Sequence, residues 1–233
     1  MASLPRTVMI TGSAGNLGRA VAAAFADEGA NLVLLDRQRD GLERAFGAEG
    51  PTRQLAPTNL LDAAQLQASV DVALGRFGRI DVLCNLAGGF RMGEPVHQIA
   101  DATWDFLLDI NARTLLHTAR AVVPAMLGNG GRIVNVAAFA ARQGQARMAA
   151  YCVAKDAVIR LTEAMSAELR EKNINVNCVL PTVIDTPENR AAMPDADPKR
   201  WVEPQDLASV IHFLASDAAR AVHGAALPVT GLS

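Results

Sequence analysis

Short apolar runs recur along the 233-residue chain, and a longer stretch with helical spacing follows almost every one. Val8-Met9-Ile10, Asn31 to Leu35, Thr52 to Ala56, Ile80 to Cys84, Gly131 to Val136, Ile174 to Leu180 and Ala225 to Val229 read as strands. Several are apolar at successive positions, as in strands buried on both faces of a parallel sheet. Between them, helical patterns run through Val21, Phe25 and Gly29, then over Gly41 to Phe46, Asp62 to Phe77, Trp104 to Leu127, Ala149 to Glu171 and Pro204 to Ala215. Strands alternating with helices predict right-handed crossovers and an α/β fold: one doubly wound parallel sheet of about seven strands with helices on both faces. Ligands in such a fold lie beyond the carboxyl ends of the strands. No repeat or linker divides the chain, so residues 1–233 are expected to form a single domain. Residues 182–203 stand apart as a run rich in Pro, Asp and Arg with one short helix-like piece, the profile of a mobile cover over a site.

Composition narrows the function. With 50% hydrophobic and 20% charged residues the chain can bury a core without metal or disulfide staples. A net charge of −2 with no block of like charge argues against nucleic acid or an anionic membrane as partner. No uncharged apolar run reaches the ~18 residues of a membrane span, and a strand already begins in Arg6 to Thr11, so no signal peptide is expected. Cys84, Cys152 and Cys178 form no paired spacing and fit a reducing cytoplasm. His97, His117, His212 and His223 share no spacing, so no metal site is expected. The helices Trp104 to Leu127 and Ala149 to Glu171 are apolar on more than one face, which predicts a homodimer or homotetramer.

The chemistry is concentrated in four places. Thr11-Gly12-Ser13-Ala14-Gly15-Asn16-Leu17-Gly18 joins a strand to a helix, the arrangement that turns backbone N–H groups and a helix N-terminus toward a pyrophosphate. Asp36 ends the next strand eighteen residues after Gly18, where a carboxylate can accept hydrogen bonds from an adenosine ribose. That carboxylate repels a 2′-phosphate and favours NAD(H), whereas the adjacent Arg37 can pair with one and keeps NADP(H) open. Asn59 and Leu60 follow the third strand, where an adenine edge can be met. Small residues at Asn85-Leu86-Ala87-Gly88-Gly89-Phe90 let a cofactor approach the backbone. Finally, Tyr151 and Lys155 are four apart on a helix and point into one pocket. Tyr151 is the only tyrosine of the chain, and Lys155 is one of few lysines among 22 basic residues. A fixed ammonium favours the phenolate and can bring the phenol toward working pH as a general acid or base. Asn111 is a polar amide amid apolar neighbours, either a satisfied core group or a kink that anchors a relay water.

In their order and spacing the glycine turn, Asp36, Asn85-x-Ala87-Gly88, Asn111 and Tyr151-x-x-x-Lys155 resemble the short-chain dehydrogenase/reductase family over essentially the whole chain. The resemblance implies a Rossmann-type, NAD(P)-binding fold and a hydride passed between a nicotinamide and a substrate carbon. It gives Tyr151 the acid/base role, Lys155 the nicotinamide ribose and Asn111 a relay water, and it assigns Pro181, Ile184 and Thr186 to the segment that fixes the carboxamide. Three positions depart from the family pattern. Asn16 replaces a glycine, tolerable if the position needs positive φ, which asparagine visits readily. Leu86 replaces an asparagine. Ala138, thirteen residues before Tyr151, replaces the serine that bonds the substrate oxygen. One lost donor at a developing oxyanion costs roughly 3 kcal/mol.

Two compensations are open. Gln143 or Gln145 can supply the donor. Alternatively the acceptor is planar and conjugated and needs no serine. Leu180-Pro181, Asp185-Thr186-Pro187-x-Asn189-Arg190, Met193-Pro194, Asp197 and Trp201 resemble the cover of quinonoid dihydropteridine reductases, and Ala87 to Phe90 resembles their aromatic-bearing loop. That resemblance implies an NADH-dependent reductase of a quinonoid dihydropterin, with Phe90 and Trp201 as ring contacts. The alternatives are a carbonyl reductase or alcohol dehydrogenase of the same family, and an NAD(H)-binding protein of weak catalysis.

Overall fold

The computed structural model describes residues 5–233. In chain order the elements are β1 (Thr7–Thr11), α1 (Asn16–Asp27), β2 (Asn31–Asp36), α2 (Arg39–Phe46), β3 (Arg53–Pro57), α3 (Ala63–Phe77), β4 (Val82–Asn85) and α4 (Asp101–Leu108). A π-helical turn (Asp109–Arg113) leads into α5 (Thr114–Met126), followed by β5 (Gly131–Val136), α6 (Ala149–Leu169), β6 (Ile174–Pro181), α7 (Pro187–Ala192), α8 (Pro204–Leu214) and β7 (Ala226–Val229).

The seven strands form one parallel sheet in the order β3-β2-β1-β4-β5-β6-β7. The chain winds outward from β1 to β3, then crosses back to place β4 on the other side of β1. That reversal opens a crevice beyond Thr11 and Asn85, which are register partners at the carboxyl ends of β1 and β4.

Alternation along the strands divides the core into two layers. Met9, Val33, Leu83, Ile133 and Val176 face α3, α5 and α6, where Leu66, Val122 and Val158 meet them. Ile10, Leu34, Cys84, Val134 and Val179 face α1 and α8, where Val21, Phe25, Leu207 and Ile211 complete the second layer. Fully burying a side chain such as Phe25 or Leu34 contributes roughly 2 kcal/mol. Local signals set the helix ends: the Asp62 carboxylate accepts from the N–H groups of Ala64 and Gln65 at 3.0 and 3.1 Å and starts α3.

Element bounds lie within a few residues of the sequence expectation, with one difference in kind. The single helix expected over Trp104 to Leu127 begins at Asp101 and is broken by the π turn. One residue too many for α spacing is accommodated there, and its centre is Asn111. Among the described residues no helix is long and apolar enough to cross a membrane, and no three His, Cys, Asp or Glu side chains gather as metal ligands. Trp104, Phe106 and Val153 expose apolar surface on α4 and α6.

Candidate active site

A cavity of about 570 Å³ occupies the crevice, within the range of small-molecule and cofactor sites. Its lining includes Gly12, Gly15, Asn16, Leu17 and Gly18 of the glycine turn, Asp36 and Arg37 at the end of β2, Asn59 and Leu60 after β3, Ala87 and Gly88 after β4, and Ile184 and Thr186 after β6. Backbone requirements explain the glycines. Gly12 has φ +63°, where a side chain is strained, and a Cβ there would lie 3.0 Å from the backbone of Ala87. At Gly18 a Cβ would fall 2.4 Å from the Gly12 carbonyl oxygen and 2.5 Å from Ser13, so only glycine lets α1 pack this closely under its own turn.

The turn is tied to its neighbours through the backbone. Thr11 Oγ1 accepts from the N–H groups of Leu86 and Ala87 at 3.0 and 3.1 Å, locking the end of β4 against β1. The Asp36 carboxylate accepts from Ala14 N at 3.0 Å and Arg37 N at 2.7 Å, which holds it at the cavity rim with lone pairs to spare. These contacts fix the turn and the carboxylate, and α1 begins at Asn16 with no side-chain cap, which leaves its first N–H groups as donors and Asp36 as an acceptor, the set that a pyrophosphate and a ribose require.

Lys155 and Asn111 do not themselves line the cavity, but they converge on Gly88, which does. A Cβ on Gly88 would lie 2.8 Å from Asn111 Oδ1 and 3.0 Å from Lys155 Nζ. Lys155 is 5% exposed, and its ammonium donates to the Val136 carbonyl at 2.9 Å. Asn111 Nδ2 donates to the carbonyls of Gly89 and Leu107 at 2.9 and 3.0 Å, and Asn111 Oδ1 accepts from Gly89 N at 3.1 Å. Its amide thus both repairs the helix at the π turn and pins the loop after β4. Tyr151 stands one turn before Lys155 on α6, and the Phe90 ring meets its ring edge-on, 5.0 Å between centroids at 89°.

Burial dominates the titration of the pair. It pushes the Tyr151 phenol up to about 12 and pulls the Lys155 ammonium down to about 8. The sequence expectation of a phenol lowered by its neighbouring cation is not met in the protein alone. Both charged forms have lost hydration, and the nearest partner of the ammonium is a backbone carbonyl rather than the phenol oxygen.

Beneath the site runs a buried polar chain that sequence reasoning did not assemble. Thr118 Oγ1 donates to Asn85 Oδ1 at 2.7 Å, Asn85 Nδ2 to Asn135 Oδ1 at 2.8 Å, and Asn135 Nδ2 to Thr162 Oγ1 at 2.9 Å. It cross-links α5, β4, β5 and α6, and with them the elements that carry Asn111, Gly88 and Tyr151. The signal was an asparagine inside each of two apolar strands. Thr58, Phe106, Ile110 and Thr114 also line the large cavity and were missed, although Thr114 lies four residues after Ile110 on the same helical face.

Other expected residues land elsewhere. Asn16 is not in a left-handed conformation; it is the first residue of α1, and among the described residues Arg147 and Asn173 alone, apart from glycines, have positive φ. Its side chain donates to Glu188 instead. Leu86 packs against the second core layer. Pro181 is buried as the last residue of β6 and does not line the large cavity. Ala138 is buried just beyond the end of β5 and brings no polar atom. Gln143 and Gln145, offered as replacements for the serine, are exposed, and neither side chain makes a hydrogen bond among the described residues. Trp201 is 8% exposed and is absent from the cavity lining. The neighbouring Val202 is buried in the second core layer with Leu207 and Ile211, so this part of the segment packs on the body of the protein.

Residues 12–231 match the family model described as "Enoyl-(Acyl carrier protein) reductase". The chain is 33% identical to D-threitol dehydrogenase of Mycolicibacterium smegmatis, over 97% of this chain and 92% of that protein. A short-chain type dehydrogenase/reductase from Mycobacterium ulcerans superposes with a TM-score of 0.91 at 27% identity, covering 100% of this chain and 90% of the other. Carveol dehydrogenase from Mycobacterium avium, solved in complex with NAD, superposes with a TM-score of 0.88 at 28% identity, covering 97% and 96%.

Proposed function

The chain belongs to the short-chain dehydrogenase/reductase family and is an NAD(P)-dependent oxidoreductase of that type, and on that premise we propose that it uses NAD(H), with Tyr151 managing the proton at the substrate. The observation that carries the reading is the convergence of Asn111 Oδ1 and Lys155 Nζ on Gly88, a lining residue of the large cavity, with Tyr151 one helical turn before Lys155. When bound, the dinucleotide supplies or accepts the hydride.

The residues of the chain do the rest. Gly12 to Gly18 leave room for a pyrophosphate against the start of α1. Asp36, oriented by Ala14 N and Arg37 N, accepts from ribose hydroxyls and disfavours a 2′-phosphate; Arg37, at the same rim, keeps NADP(H) within reach. Lys155 has spent one of its three donors on Val136, which leaves two for the nicotinamide ribose and the phenol oxygen. Acceptors brought to the ammonium offset its lost hydration and favour the cation, and the cation in turn favours the phenolate needed to take a proton. Asn111 positions the loop that carries Gly88 and Gly89. Ile184 and Thr186, residues of the 182–203 segment that line the cavity, hold the carboxamide in this reading.

For the substrate, the favoured reading is a carbonyl and alcohol pair, the chemistry named for D-threitol dehydrogenase. A second reading, a planar conjugated acceptor such as a quinonoid dihydropterin, is favoured by Ala138, which offers no donor to an oxyanion, and by the Phe90 ring set against Tyr151. Exposed apolar side chains on α4 and α6 support a homodimer or homotetramer, and the three buried free cysteines support a cytoplasmic setting. Initial rates with NADH and with NADPH, on ketones, aldehydes and freshly generated quinonoid dihydropterin, together with NAD⁺-dependent polyol oxidation, test the reading. Turnover of polyols or ketones is expected. Turnover of the pterin alone would transfer the assignment to the second reading, and failure of every acceptor with both cofactors would overturn both.

A further inference from the structure

We propose that Asn16 and Glu188 form a latch that fastens the covering segment across the mouth of the dinucleotide cavity and slows release of the cofactor. The proposal rests on the NAD(H) reading above. Asn16 Nδ2 donates to Glu188 Oε2 at 2.9 Å, joining the glycine turn to α7. The direction of that bond is fixed by a third residue. Arg19 Nη2 lies 2.7 Å from the Asn16 oxygen, and because a guanidinium only donates, the amide must turn its NH₂ toward Glu188.

The rest of the segment is braced without touching the turn. Thr186 Oγ1 accepts from Asn189 N at 3.2 Å, Asn189 Nδ2 donates to the Ile184 carbonyl at 2.8 Å, and Arg190 forks onto Asp185 at 2.6 Å through both nitrogens. At its two ends the segment is held by the C-terminal tail, through Thr182 Oγ1 to Thr230 O at 3.0 Å and Arg200 Nη2 to Leu232 O at 2.6 Å. Among the described residues, the Glu188 bond is the one hydrogen bond from α7 to the body of the molecule. Asn16 and Thr186 both line the cavity, and Glu188 follows Thr186 by two residues, so the contact ties the glycine turn directly to the lining part of the covering segment. Asparagine at position 16 supplies an arm that a glycine lacks. The departure from the family pattern thereby acquires a role in positioning the cover.

The test is NADH dissociation by stopped-flow displacement from wild type, Asn16→Gly, Glu188→Ala and the double variant. Each single change is expected to raise the dissociation rate roughly threefold to tenfold, the worth of one hydrogen bond at a half-open surface. The double variant should release NADH no faster than either single variant, because both break the same contact. Glu188→Gln keeps an acceptor and should stay nearer wild type. Unchanged rates, or effects that multiply in the double variant, would overturn the latch. A second readout needs no cofactor: amide hydrogen exchange over residues 187–193 should quicken in Asn16→Gly, and equal exchange would also overturn it. Failure of wild type to bind NADH would sink the functional reading, while the exchange comparison would still decide the latch.

Discussion

Replacing Lys155 with methionine is expected to stabilise the folded protein at neutral pH while removing its catalysis. Burial lowers the Lys155 pKa from 10.5 to about 8, because the ammonium has exchanged water for one carbonyl and an apolar surround. At 1.36 kcal/mol per pKa unit this corresponds to roughly 3 kcal/mol of lost stability wherever both folded and unfolded chains carry the proton, that is below about pH 8. Between about pH 8 and 10.5 the unfolded chain holds more protons than the folded one, so this group makes wild-type stability rise with pH across that window. Methionine has a similar length and does not titrate, but it leaves the Val136 carbonyl one donor short, at about 1 kcal/mol. The variant should therefore exceed wild type by about 2 kcal/mol near pH 6.5, and the advantage should shrink markedly near pH 9.5. Urea unfolding at the two pH values measures the difference directly. A difference that does not change with pH, or a variant less stable than wild type at both values, would refute the claim that the site holds its ammonium against a desolvation penalty.

The remaining predictions concern the cradle and the missing serine. Gly18→Ala forces a Cβ to within 2.4 Å of the Gly12 carbonyl, so the turn must shift; a loss of roughly 1–3 kcal/mol in stability should accompany loss of NADH binding by fluorescence titration, and unchanged affinity would count against the cradle. Ala138→Ser restores a hydroxyl near the end of β5. For a carbonyl substrate the rate should rise by roughly tenfold to a hundredfold, whereas a conjugated acceptor should show no gain.

Much of the layered fold was legible because most of the strands are largely apolar runs bounded by turn residues, and because burial of the central strands on both faces leaves little room for another pattern. The glycine turn and Asp36 were legible for a related reason: a backbone that must approach a ligand admits few residues, and their spacing is set by one strand-helix-strand unit. Tyr151 and Lys155 were visible through helical periodicity. What could not be read depends on contacts between distant segments. The chain Thr118–Asn85–Asn135–Thr162 spans four elements, and no local period announces it. A kink at Asn111 was one of two readings open in the sequence, but its π character could not be read, because residues 101–126 are apolar on several faces and mask a one-residue slip. Spacing also placed a cation near a phenol without revealing how deeply both are buried, and burial decides the direction of both pKa shifts. Asn16 was judged tolerable in place of glycine through its access to positive φ, whereas Gly12 takes that conformation and Asn16 opens a helix.

The most direct measurement is NADH-dependent turnover of Tyr151→Phe alongside its NADH affinity. The substitution keeps the ring that packs edge-on against Phe90 and removes the hydroxyl alone. With Tyr151 as the proton donor or acceptor, turnover should fall by roughly a hundredfold to ten-thousandfold while NADH binds within about twofold of wild type. Turnover close to wild type would contradict the assignment of Tyr151 as the acid/base group, and with it the central reading of the site.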